Sequence, residues 1–179
     1  RVIGPSLGQE NIDKGVLSTQ IGFLLVAIWM VVFFRVFGLV ANVALVFNLA
    51  LILAIMSIMG AALTLPGIAG IVITIGMAVD ANILTAERIR EELRVGKSVK
   101  EAYALGTKQS LTAIIDAQLT TLLAAGVLFY FGTSTVKGFA TTLIISILMS
   151  FVTAVWLSRI LLGLLVKSGY FDNPAWFGI

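Results

Sequence analysis

The chemistry in this chain rests on two acids set in apolar sequence. Asp80, in "GMAVDANILTAERIREELR" (76–94), closes a run from Val36 to Val79 that contains no charged residue. Asp116, in "IIDAQLTT", is followed by a second long apolar stretch. Asp80 precedes the polar block at Glu87 by about 7 residues, or ~10 Å of helix, and Asp116 follows Lys108 by about 8, or ~12 Å. On antiparallel helices these spacings put both carboxylates at similar depth in one half of a bilayer. A charged acid near the bilayer centre costs ~2.5–3.5 kcal/mol on insertion scales, and somewhat less at this depth. Removal from water favours the neutral form unless a cation or a water cavity intervenes. An acid that passes between the two forms can carry a proton.

The neighbours of both acids are polar or small. Gly76 and Leu84 share the face of Asp80, whereas Asn82, about 200° round the helix, shares another with Thr85. On the next helix Gln109, Thr112, Asp116 and Thr120 form one polar stripe, and Gln118 with Thr121 forms a second. Polar groups on two faces avoid lipid when protein encloses the helix. These two helices are therefore expected at the centre of the fold. The candidate site is a proton relay of Asp80 and Asp116, supported by Gly76, Asn82, Thr85, Thr112, Gln118, Thr120 and Thr121. Three uses of paired acids stay open on this pattern: an intramembrane aspartyl protease, proton-coupled conformational work, and a structural bundle with no cycle. The Tyr-Asp and Gly-x-Gly-Asp motifs that such proteases share are missing, since Asp80 follows "MAV" and Asp116 follows "AII".

The elements that must hold these residues follow from composition. The chain is 59% hydrophobic and 12% charged, far from the quarter charged of soluble domains. It has no cysteine and no histidine, which excludes disulfides, thiol nucleophiles, Cys/His metal sites and imidazole catalysis. No Walker A pattern is present, and nucleotide hydrolysis is unsupported. The chain is expected to be neither an enzyme nor a nucleic-acid binder, and to use no cofactor beyond protons as coupling ion. Five segments reach the ~20 apolar residues of a membrane helix, about 16–34, 39–59, 68–86, 111–131 and 139–166. The fold class is thus an all-α membrane protein, a five-helix transmembrane bundle. "GAALTLPG" (60–67) and "GTSTVKG" (132–138) supply breaks between spans. The first span is apolar through its middle and is the expected lipid-facing helix.

Nine basic residues fall on one side of this arrangement and three on the other. The positive-inside rule then places loop 87–108 and the C-terminus in the cytoplasm and the N-terminal end outside. In the loop, Glu87/Arg90 and Arg88/Glu92 stand at pairing distances, and the loop is either a solvated connector or a docking surface. Gly96 suits a helix stop, and "SVKE" (98–101) matches a capping box opening a short amphipathic helix through Tyr103. Small and hydroxylated residues suit close helix packing: Gly67, Gly70 and Gly76 on the third span, Ala113, Ala117, Ala124 and Ala125 on the fourth, and Thr142, Ser146, Ser150 and Thr153 on the fifth. Residues 1–15 are polar and turn-rich, as expected of the end of an extracytoplasmic domain or an interfacial segment. Residues 167–179, with Tyr170, Phe171, Trp176 and Phe177 around Pro174, read as a cytoplasmic interfacial tail. The chain opens on Arg1 without a signal-peptide pattern and is expected to be a piece of a longer protein.

Three stretches together resemble one family. "GMAVDANILTAERIREELRVGKSVKEA" is similar to the fourth transmembrane helix and following loop of the SecD branch of the SecD/SecF protein-export family. "IIDAQLTTLLAAGVLFYFGTSTVKGFATTL" resembles its next helix, loop and final helix, and "GPSLGQENIDKG" resembles the exit from its large extracytoplasmic domain. Gln118 departs from the family's usual D-A-N, a modest amide exchange. The resemblance implies half of an RND-like, pseudo-symmetric transporter fold in a bacterial cytoplasmic membrane, here without the first helix and the periplasmic domain. It implies SecF, separate or fused, as lateral partner, with the SecYEG translocon and the translocating polypeptide as further partners. It implies proton-driven late export, after the SecA ATPase has acted, with Asp80 as proton carrier and Asp116 in the same polar cluster. SecF would contribute an arginine and a further aspartate. Another RND-type exporter, of a lipid or small molecule, and a translocon scaffold stand as alternatives.

Overall fold

The computed structural model describes residues 5–59, 65–169 and 173, and the described residues form helices joined by short breaks. They are α1 (Pro5–Phe34), α2 (Val36–Ile58), α3 (Leu65–Arg94), α4 (Val99–Phe131), α5 (Ser134–Ser150) and α6 (Ser158–Ser168). A π-helical segment, Phe151–Leu157, joins α5 to α6, so the two make one continuous span. Five helices are long and apolar enough to cross a membrane.

Local sequence explains most of the boundaries. Arg35, at φ 48°, is the one residue between α1 and α2, and a Cβ on Gly38 would strike the Met30 carbonyl. Only glycine lets α2 fold back so closely on α1. Gly96, at φ 90°, follows the end of α3. The Ser98 hydroxyl accepts the Glu101 amide while the Glu101 carboxylate accepts the Ser98 amide, a complete capping box. That box opens α4 itself, which runs unbroken to Phe131, and not a separate short helix ending at Tyr103. α3 and α4 make the most extensive contact in the fold. A Cβ on Gly106 would lie 2.7 Å from the Ile89 backbone nitrogen, so the two helices touch there nearly backbone to backbone. Below that point Thr85 and Ser110 share a hydrogen bond of 3.1 Å.

Other expectations need correction. Residues 5–15 are helical rather than turn-rich, with Glu10 and Lys14 paired one turn apart at 2.7 Å. The break before α5 is Gly132 and Thr133 alone, because helix resumes at Ser134. Arg88 pairs with Glu91, while Glu92 takes Lys97 and Gln109. Arg90 is buried rather than solvated. Its guanidinium donates to the Phe33 carbonyl at 2.6 Å and to Glu87 at 2.8 Å, and lies 4.6 Å over the Phe34 ring. It thereby ties the end of α1 to α3 through exposed carbonyl dipole and ring face together. The π segment was not anticipated. Thr153 Oγ1 bonds the Met149 carbonyl and Ser158 Oγ bonds the Thr153 carbonyl, so hydroxyls compete for the acceptors of an ordinary α ladder.

The order of enclosure also differs from expectation. In the apolar windows of the spans, 56% of α3 and 56% of the α5–α6 span are buried, against 17% of α4 and 6% of α1. α3 is central and α1 is outward-facing, as the sequence suggests. α4 is not enclosed by this chain. Its threonines are satisfied within the helix, Thr120 on the Asp116 carbonyl and Thr121 on that of Ala117, so they do not themselves require enclosure. Asp116, whose carboxylate has no partner among the described residues, is the member of the stripe that does. Tyr170, Phe171, Trp176, Phe177 and the loop Gly60–Thr64 lie outside the described residues.

Candidate functional site

α3 delivers Asp80 to an open lateral groove against α4. The groove encloses about 190 Å³, walled by Met77, Asp80 and Leu84 on one side and Ala113, Ala117, Gln118 and Thr121 on the other. Small residues on α4 make the space: alanine at 113 and 117 leaves the carboxyl room that a larger side chain would fill. Ala113 and Ala117 bracket Asp116, so the two acids sit at one level of the α3–α4 pair. They do not meet in it. Asp116 lies on the neighbouring exposed face of α4, outside the groove lining.

Neither carboxylate makes a hydrogen bond or an ion pair among the described residues; Asp116 is bonded through its main-chain carbonyl alone. Arg90 and Arg159 are held elsewhere, on the Phe33 and Thr107 carbonyls, and Arg35 stands between α1 and α2. Gly76, one turn before Asp80, is exposed, and a Cβ there would meet nothing. Thr112 and Thr120 continue the exposed stripe of Asp116. The result is a face of small residues and unpaired acids that α3 and α4 turn outward together.

The remaining site residues fall into two roles. Asn82 and Thr85 are buried and bond carbonyls one turn back, at Ala78 and Ala81, and Thr85 also links to α4. They hold the helix pair rather than line the groove. Gln118 does both. It lines the groove and exchanges hydrogen bonds with Ser150, Nε2 to Oγ at 3.2 Å and Oγ to Oε1 at 3.4 Å. Ser150 immediately precedes the π segment, so one amide joins the Asp80 groove to the irregular part of the last span. π segments within α-helices recur at functional positions.

Two features besides the π segment escaped sequence reasoning. Gly106 carries the α3–α4 contact, and Asn48, on α2, is buried with neither amide atom partnered among the described residues. Asn48 interrupts "ALVFNLALIL", and a lone amide in such a run is the signal that marks it.

Comparison with known proteins bears on the whole chain. Residues 1–168 match the family described as protein export membrane protein SecD/SecF, C-terminal. The chain is 52% identical over 165 residues to the protein translocase subunit SecD of Pseudomonas aeruginosa, covering 92% of this chain and 27% of that protein. It is 49% identical over 178 residues to the protein translocase subunit SecDF of Bacillus subtilis, covering 99% of this chain and 24% of that one. The crystal structure of SecDF from Thermus thermophilus, a translocon-associated membrane protein, superposes with a TM-score of 0.89 at 43% identity. That match covers 93% of this chain and 23% of the Thermus one, so the chain corresponds to a minor part of the length of each.

Proposed function

The chain belongs to the SecD/SecF protein-export family, and from that premise we propose that it is the SecD-like membrane part of the bacterial Sec export machinery, coupling proton movement to late translocation of secreted polypeptides. The observation that carries the coupling is the unpaired, laterally open Asp80 in the α3–α4 groove. A charged carboxylate facing hydrocarbon is costly, so this face requires protein or water against it. A second membrane half, the SecF-type partner, fits the requirement, and the exposed Gly76 lets a helix approach closely.

The energetics suit a switch. A carboxylate turned toward lipid costs ~2.5–3.5 kcal/mol, and moving one charge through a 100 mV potential releases about 2.3 kcal/mol. One proton per cycle is therefore of the right size to reverse which arrangement of the two halves is favoured. In this reading Asp80 is neutral when the groove closes against the partner and charged when water or a partner cation reaches it. Gln118 then relays the change in groove shape to Ser150 and the π segment. Asp116, on the adjoining face, contributes to the field that the partner must balance. The charged α3–α4 end lies in the cytoplasm, following its excess of basic residues, and the membrane is the bacterial cytoplasmic membrane.

A hydrophobic carbodiimide, which attacks protonated carboxyls in apolar surroundings, tests the protonation step in the full-length protein. Labelling at Asp80 is expected to abolish the stimulation of export by an imposed proton gradient. Labelling there that leaves the stimulation intact would leave only the scaffold reading.

A further inference from the structure

Away from the acids, the loop end of the bundle carries a groove between α4 and α6 of about 530 Å³. Its rim holds Lys100 on α4 and Arg159 and Lys167 on α6; its walls are Ile160, Gly163 and Leu164. A second groove of about 400 Å³ shares Arg159 and Ile160 with it and continues along the same helices. That extension is lined by Leu111, Ile115, Phe151, Val155 and Trp156. From Arg159 to Phe151 it runs at most ~12 Å at α-helical rise, and less through the π segment, a large part of the ~15 Å of one leaflet's hydrocarbon.

Of the three cations, Arg159 is held in place. The Arg159 guanidinium donates to the Thr107 carbonyl, and the Tyr103 hydroxyl donates to the Arg159 carbonyl at 2.8 Å. Gly163 leaves space for the Tyr103 ring, since a Cβ there would stand 3.0 Å from the hydroxyl. None of Lys100, Arg159 and Lys167 has a carboxylate partner among the described residues. A basic mouth at the membrane surface opens onto an apolar trough that descends from it.

We propose that this groove is a binding site for an anionic phospholipid, with the phosphate at Lys100, Arg159 and Lys167 and one acyl chain lying along Ile160, Trp156 and Phe151. Charge complementarity selects the headgroup, and the depth of the trough selects a lipid over a free phosphate. A groove of similar size between α2 and α6 serves as internal contrast. Val36, Leu39, Val43, Leu161 and Leu165 line it, no charged side chain does, and it should accept acyl chains without regard to headgroup.

The test uses the full-length protein in bilayers containing phosphatidylglycerol or phosphatidylcholine with a photoactivatable group on the acyl chain. Phosphatidylglycerol is expected to label 151–160 in preference to phosphatidylcholine, with equal labelling at the α2–α6 groove. Lys100→Gln with Lys167→Gln should weaken phosphatidylglycerol labelling of 151–160 by about fivefold per lysine and leave the other groove unchanged. The unchanged groove reports that the variant is folded. Equal labelling by both lipids, or labelling insensitive to the two lysines, would overturn the proposal. So would an unlabelled 151–160 beside a labelled α2–α6 groove, since a protein segment would then cover the site. Inorganic phosphate competing as well as the lipid would replace the lipid site by a surface anion site.

Discussion

At the scale of single residues, two acids of the same chemistry have different surroundings. Asp80 stands in a groove with room for water or a partner cation, and Asp116 stands on an open face beside it. Asp116→Asn is therefore expected to lower proton-stimulated export less than Asp80→Asn, measured side by side in membrane vesicles; equal losses would mean that both acids share one relay. The depth match of the acids was legible in the sequence because helical rise is fixed. Their lack of partners was not, because it depends on which side chains come near from elsewhere in the chain. Arg90 shows the same limit. In the sequence it belongs to a run of charges, yet its fork meets the last carbonyls of α1 and the Phe34 ring, contacts 57 residues apart in the case of Phe33.

At the scale of elements, the α3–α4 pair is closely packed at Gly106 and Ile89. Gly106→Val is expected to destabilise the bundle by ~1–3 kcal/mol, because a side chain there must push against the Ile89 backbone; a detergent-denaturant titration would show it. The capping box makes a milder contribution, and Ser98→Ala should cost about 1 kcal/mol in the same titration. For the last span the link to the groove can be cut. Gln118→Leu removes both bonds to Ser150, and amide hydrogen exchange in 151–157 should speed up while α1 is unchanged. The box was legible because capping is local in sequence. The π segment was not, since it follows from how Thr153 and Ser158 choose among carbonyls within a formed helix. Nor was the exposure of α4. Its threonines bond their own helix, so of the polar stripes only Gln118, buried against Ser150, and the unpartnered Asp116 carry information about enclosure.

At the scale of the whole molecule, a central α3 lies beside an outward α4, the side on which the proposed function sets a partner. The family and the five-helix class were legible because span length, breaks and the "VDAN" stretch are all written locally. This segment has no cysteine, so a single cysteine at Ala117 is the segment's only thiol; it should form a disulfide with one placed on the facing helix of the SecF-type half. Failure to cross-link there, with success on the α1 side, would move the partner to another face. The central claim is that Asp80 carries the coupled proton. The direct measurement is export of a secreted polypeptide by vesicles with full-length wild type or Asp80→Asn, with and without an imposed proton gradient. The account predicts that the gradient accelerates export with wild type and leaves the assembled Asp80→Asn complex at its gradient-free rate. Equal acceleration in both would contradict it.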